Sequence, residues 1–351
     1  MRTRFLQFRK AMSAALFVLL LSVVGMKNAF AQTQVATLQH DGEITNVYYG
    51  QNAFASASSA AVSGDVITLS SGTFNSGGSF YYSGITIHGA GCMYDTLTAT
   101  MPTIITGDVN LRNNDLSFEG VWFTGTIISN NEQLSATAGY STNNVSFVKC
   151  NINAITTAYD YNRRNNWQLM DCIISDFGMS TFHGMSIINS VVRFTAYTHN
   201  DNYNCTSIYN SIIIFDNGLN IKNINAYNSI ISTASEHNVS NCTFDNCIGI
   251  KTGETSLFEG QIVQNVMEVN SYQDVFENFT GEISNSNNYQ LKETIATTFL
   301  GNDGTEVGIY GGMMPYDPRP SYMRMKRCNV APRSTVDGKL SVDIEILTDD
   351  E

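Results

Sequence analysis

Between residues 147 and 249 the chain repeats one short pattern of apolar and polar positions. Leu169-Met170-Asp171-Cys172-Ile173-Ile174, Ile187-Ile188-Asn189-Ser190-Val191-Val192, Ile208-Tyr209-Asn210-Ser211-Ile212-Ile213 and Ala226-Tyr227-Asn228-Ser229-Ile230-Ile231 share one order. Two apolar or aromatic residues lead to Asn or Asp, then Ser or Cys, then two β-branched residues. Phe147-Val148-Lys149-Cys150-Asn151-Ile152 and Phe244-Asp245-Asn246-Cys247-Ile248-Gly249 are looser copies. The Ser/Cys positions 150, 172, 190, 211, 229 and 247 recur every 18 to 22 residues, a solenoid period.

The runs are rich in Ile, Val, Tyr and Phe, show no 3.6-residue spacing and lack the Leu frame of leucine-rich repeats, so they read as strands. Stacked coil on coil, strands lie about 4.8 Å apart and every sheet is parallel. At a sharp bend between strands one residue takes a left-handed conformation, which Asn tolerates better than most, and stacked amides can bond from coil to coil. The Ser or Cys beside it is small enough for close stacking. Gly120 reads as the small position of an earlier coil. It precedes Cys150 by 30 residues, which predicts an insertion of about ten residues within the Asn/Ser/Thr-rich stretch 124–144.

The first thirty residues break the pattern. Arg2, Arg4, Arg9 and Lys10 precede an apolar run over residues 11–26, and Ala29-Phe30-Ala31 supplies small residues for cleavage before Gln32, so residues 1–31 read as a signal peptide. The run is shorter than the roughly 20 residues a bilayer requires, and no transmembrane segment is expected after cleavage. The chain is expected to be exported to the periplasm, cell surface or exterior. Seven cysteines leave at least one unpaired within the chain, and Cys150, Cys172 and Cys247 border apolar residues where Cys behaves as a small buried hydrophobe. With 43% hydrophobic and 14% charged residues the chain is folded rather than disordered. Taking the five leader cations from 19 leaves 14 basic residues against 31 acidic ones, a balance of −17. That charge disfavours nucleic acid as a partner.

Ala60-Ala61-Val62-Ser63-Gly64-Asp65-Val66-Ile67-Thr68-Leu69-Ser70-Ser71-Gly72-Thr73-Phe74 and Ile85-Thr86-Ile87-His88-Gly89-Ala90-Gly91 resemble the opening of the pectin-lyase-like superfamily in its secreted bacterial members. The Asn series resembles that superfamily's asparagine ladder. Tyr289-Gln290-Leu291 and Asp303-Gly304-Thr305-Glu306-Val307-Gly308-Ile309-Tyr310-Gly311-Gly312 resemble its final coils. The resemblance implies an all-β, right-handed parallel β-helix over residues 64–312, a hand that agrees with the rule for parallel crossovers, in roughly twelve coils and a rod of about 55 Å. Residues 32–63 are expected to cap one end, with a short helix in 53–62. Residues 313–351 are expected to hold a Pro-rich linker and an alternating strand, Leu340, Val342, Ile344 and Ile346, that either folds back on the rod or belongs to a small separate module.

The superfamily's hydrolases are marked by paired Asp residues, a Gly-His-Gly and an Arg-Ile-Lys. Those are absent; Phe182-His183-Gly184 is a fragment of the second and Asp349-Asp350 lies in the tail. No pectin methylesterase pattern is present. No cofactor is implied, no CxxC or zinc spacing occurs, and calcium stays open without a motif. What remains are loops after successive Ser/Cys positions. Tyr159, Tyr197 and Tyr203 are candidate sugar-stacking residues, and Arg163, Arg164, His183, His199 and Asp201 are candidates for charge and proton transfer in one groove. A polyanionic substrate would be repelled unless Arg163, Arg164 and Arg193 make a local positive patch. His40, His88 and His237, isolated in sequence, read as structural. The expected function is glycan binding by an exported β-helix; alternatives are a polysaccharide lyase or glycoside hydrolase of unrecognised type, and a structural or adhesive surface protein.

Overall fold

The structure, a computed structural model, describes residues 34–129, 142–157, 165–178, 183–196, 206–216, 219–233, 237–251, 253, 256–284, 286–321, 324–330, 338–339 and 342–347. The expected signal peptide lies outside these. The architecture is a parallel β-solenoid built on two twelve-stranded sheets. In the first sheet, parallel strands stack from Val66–Leu69 through Asn165–Met170, His183–Ile188, Thr206–Tyr209 and Ile224–Tyr227 to Ile262–Gln264. The second stacks, among others, Val121–Ser129, Ile173–Gly178, Val191–Ala196, Ile212–Phe215 and Ile230–Thr233, ending at Met267–Val269. The short strands Leu219–Lys222 and His237–Ser240 pair as a third, two-stranded parallel sheet.

The bend between the sheets explains the repeated Asn. Lys149, Asp171, Asn189, Asn210, Asn228, Asn246 and Asn265 all have positive φ, between 46° and 52°, the region L-residues other than Asn and Asp rarely adopt. Gly120 (φ 66°) belongs to this series too. Its neighbour Glu119 is the register partner of Val148, and Trp122 that of Asn151, so Gly120 holds the left-handed position and buried Val121 the small one. The earlier assignment is off by one because both positions favour a small residue.

The small position carries a second ladder inside the wall. Ser190 Oγ accepts the Cys172 N–H (3.0 Å), Ser211 Oγ that of Ser190 (3.1 Å) and Ser229 Oγ that of Ser211 (3.1 Å). Each hydroxyl donates in turn to the carbonyl two residues back, at 2.7 Å. Cys150, Cys172 and Cys247 send their thiols to the equivalent carbonyls, and all three are free and buried. A hydroxyl or thiol here satisfies main-chain groups that the bend removes from the sheet ladder.

The pair of β-branched residues after each bend has one member on each side of the second sheet. Ile174, Val192, Ile213 and Ile231 point inward to the coil core, beside Phe stacks such as Phe194 and Phe215 (centroids 5.1 Å apart). Ile173, Val191, Ile212, Ile230 and Ile248 point outward, where Val275, Phe276, Phe279, Tyr289, Leu291 and Phe299 cover them. Two consecutive apolar residues therefore record a sheet buried on both faces.

That cover corrects the expected extent of the coils. The described coil strands end at Val269 rather than at Gly312, giving fewer coils than twelve. Residues 289–291 and 303–312, expected as final coils, instead fold back over the second sheet. From there the chain runs along the Asn bend. Asn302 N donates to Asn228 Oδ1 (3.0 Å), Asn189 Nδ2 donates to the Met314 carbonyl, and Ser321 N donates to Glu119 Oε1 (2.9 Å). Gly312 (φ 85°) is required where it passes Asn210, because a Cβ would collide with the Asn210 amide. The Asn amides thus hold this strap as well as bonding along the ladder, as Asn265 does with Asn246. At the other end the expected cap is present: helix α1, Ala53–Ala60, buries Phe54 against Phe80 (6.1 Å), and Val35–His40 pairs antiparallel to Glu43–Tyr49 and to Val66–Leu69. The alternating C-terminal strand, Val342–Leu347, pairs with Arg324–Val330 as a separate antiparallel hairpin and joins neither solenoid sheet.

Two stability measurements check this account. Ser211→Ala leaves the Ser190 N–H without its acceptor and is expected to cost about 1–3 kcal/mol in urea unfolding, whereas Ser211→Cys, the residue that Cys172 and Cys247 supply at this position two coils away, costs less; equal losses would refute the ladder role. Burial raises the Asp171 carboxyl to about 6, with Asp317 adding to the rise. Because the folded value lies above the unfolded one, ionisation opposes folding: the penalty is absent below about pH 4 and complete above about pH 6. Asp171→Asn should therefore raise the melting temperature at pH 7.5, by about 1–2 kcal/mol of stability, and by much less at pH 4.

Candidate functional site

From Gln168 to Tyr227 the outer face of the first sheet carries no charged side chain. Register places Gln168, Ser186, Ser207 and Asn225 in one outward column and Met170, Ile188, Tyr209 and Tyr227 in the next. Inward residues alternate with them, Leu169, Ile187, Ile208 and Ala226, all buried. The Tyr209 and Tyr227 rings stack at 5.1 Å, 10° from parallel, and Tyr209 remains 41% exposed.

Beside Tyr209 lies a depression of about 570 Å³. Asn166, Trp167 and Gln168 line it from one strand, Gly184, Met185 and Ser186 from the next, and Ser207 and Tyr209 from the third. Its origin is a second ladder of left-handed residues at the other end of the first-sheet strands: Asp115, Asn144, Asn166, Asn223 and Asn241, with φ between 53° and 58°. Asn144 Nδ2 donates to Asp115 Oδ1 (2.7 Å), Asn166 Nδ2 to Asn144 Oδ1 (3.1 Å) and Asn241 Nδ2 to Asn223 Oδ1. At Gly184 (φ 77°) the ladder loses its side chain, and with Ser186 and Ser207 following, no large group fills the space. Trp167, though buried, donates its Nε1 to the Thr142 carbonyl (2.7 Å), and Ser129 Oγ meets Thr142 Oγ1 at 2.7 Å. Residues 130–141 of the expected insertion lie outside the described ones; Ser129 and Thr142, on either side of them in sequence, are joined to each other and to Trp167 by these bonds.

The candidates read from the sequence fall mostly outside the described residues: Tyr159, Arg163, Arg164, Tyr197, His199, Asp201 and Tyr203. His183 is described in its backbone only, as the first residue of its strand and the register partner of Asn165. The strand ends that these segments join are in register, Thr156 with Gly178 and Gly178 with Ala196 on one side. Arg193 does not offer an open positive charge. Its guanidinium donates to the Gly281 carbonyl (2.6 Å) and lies 3.5 Å from Glu282 and 3.9 Å from Asp216, which ties the covering segment to the second sheet.

Two of the histidines isolated in sequence, His40 and His88, gain partners through the fold. His40 Nδ1 meets the buried Asp65 Oδ1 at 2.6 Å, which pushes the imidazole pKa up. His88 Nδ1 lies 3.4 Å from Glu119 Oε2, one coil on in the same outward column. Among the described residues no three His, Cys, Asp or Glu side chains are grouped to hold a metal ion, and no helix is long and apolar enough to cross a membrane. Comparison with protein-family models, with curated proteins and with solved structures finds no match for this chain.

Sequence reading missed the second ladder, the depression and Tyr209. The ladder had a signal, Asn, Asp or Gly recurring near coil spacing at Asp115, Asn144, Asn166, Gly184, Asn223 and Asn241.

Glu119 gives a measurable pH effect. The His88 ring, helped by the Ser321 amide, holds its carboxyl down to about 2. A depressed carboxyl stabilises the fold above its unfolded value, near 4.5, and that stabilisation is lost as pH falls toward 2. Melting temperatures should therefore fall faster between pH 4.5 and 2.5 for the wild type than for Glu119→Gln; parallel curves would remove Glu119 as an anchor of the strap.

Proposed function

We propose that this chain is an exported β-solenoid of the pectin-lyase-like, right-handed kind that binds polysaccharide or another surface glycan on the outer face of its first sheet. The observation that carries the reading is the open depression beside the exposed Tyr209 ring. Its volume lies within the range of small-ligand sites. Aromatic rings present large apolar faces at little conformational cost, and hydroxyl and amide groups around them fix orientation. The strands stack rigidly, so such groups are held in place before a ligand arrives, which lowers the entropic cost of binding. Segments 158–164, 179–182 and 197–205, which join these strands in sequence, carry Tyr159, Tyr197 and Tyr203, and segments joining stacked coils are where function concentrates on such scaffolds.

A glycan array followed by affinity electrophoresis, with a reducing-end assay run alongside to detect cleavage, tests the reading. Tyr209→Ala is expected to weaken binding by roughly 1 kcal/mol or more with an unchanged melting temperature. Unaltered affinity in that variant would place the site elsewhere.

A further inference from the structure

We propose, on the footing of that glycan-binding reading, that the depression takes an uncharged sugar whose ring packs against Tyr209, and that polyuronates are not its ligands. Tyr227 covers one face of the Tyr209 ring in a near-parallel stack. Tyr209 lines the depression and Tyr227 does not. On the side away from Tyr227 the column continues with Ile188, which does not line the depression, so a pyranose meets the Tyr209 ring from the side of Ser186 and Ser207.

The polar groups within reach are amides and hydroxyls: Asn166, Gln168, Ser186 and Ser207. They donate and accept in equal measure, as sugar hydroxyls do. A carboxylate brought onto such a face would lose water without gaining a charged partner, which is costly. No Lys or Arg lines the depression. Arg193 is held by Asp216 and Glu282 on the other sheet, and Lys149 at the bend acts on Asp171 and Asp317. An overall formal charge of −12 opposes the approach of a polyanion.

The test compares the full chain with Tyr209→Ala, Ser207→Asp and Ser207→Lys in affinity electrophoresis against neutral polysaccharides (β-glucan, mannan, xylan) and polyuronates (polygalacturonate, alginate), at low and high salt. The expected result is retardation by a neutral polymer that salt leaves unchanged and Tyr209→Ala reduces at least fivefold. Ser207→Asp and Ser207→Lys should weaken it to similar extents, because each brings a charge and bulk into an uncharged site. Retardation by a polyuronate that Tyr209→Ala abolishes and Ser207→Lys strengthens would overturn the uncharged class while leaving glycan binding at this face. Retardation indifferent to Tyr209→Ala would overturn the site, and retardation by neither class would overturn both readings.

Discussion

Coil-on-coil register governs this molecule. A parallel stack advances by about 4.8 Å per coil only if each coil turns at the same place as the one before it. Every turn then needs a residue with positive φ at the same position, and every main-chain group that the turn removes from the sheets needs a partner there. Asn and Gly meet the first demand, Ser and Cys the second. Because each group is satisfied by the next coil, the bond from the Cys172 amide to Ser190 and that from Ser190 to Ser211 are parts of one continuous structure. A change in one coil is felt in its neighbours, as expected of a quasi-one-dimensional fold.

The two sheets solve different problems on that frame. The second sheet presents Ile or Val outward and would be unstable in water uncovered; residues 272–309 remove it from solvent with a core of their own. The strap that follows then uses amides the bend had already displayed. Arg193, the best-placed cation on this side, is consumed in fastening the cover, so the charge that might have met an acidic polymer acts as a structural tether.

Between Gln168 and Tyr227 the first sheet presents Gln, Ser, Asn and Tyr outward beside Met170 and Ile188, and Tyr209 stays exposed. Its depression exists because one rung of the second ladder is glycine and the side chains beyond it are serines. Function on this scaffold is therefore a matter of what the stacking leaves out at one rung, with a rigid wall behind it and an aromatic ring at its edge. The same stacking turns pairs remote in sequence, His88 with Glu119 and Tyr209 with Tyr227, into neighbours one coil apart.

Much of this was legible in the residues alone. The period near twenty, the Asn and Ser ladder and the parallel strands follow from a constraint that repeats every coil, so each copy of the pattern reinforces the others. The paired β-branched residues even recorded that the second sheet is buried on both faces. The course of residues 272–321 was not legible, because it depends on contacts that occur once: Asn302 meets Asn228 and Ser321 meets Glu119 across long sequence separations, with no period to betray them. The candidate site divides in the same way. The segments joining its strands stood out as polar and aromatic interruptions, whereas its floor did not, since alternation marks a residue as outward without saying whether another part of the chain will cover it. Only tertiary packing decides that, by closing one face with an apolar segment and leaving the other to solvent.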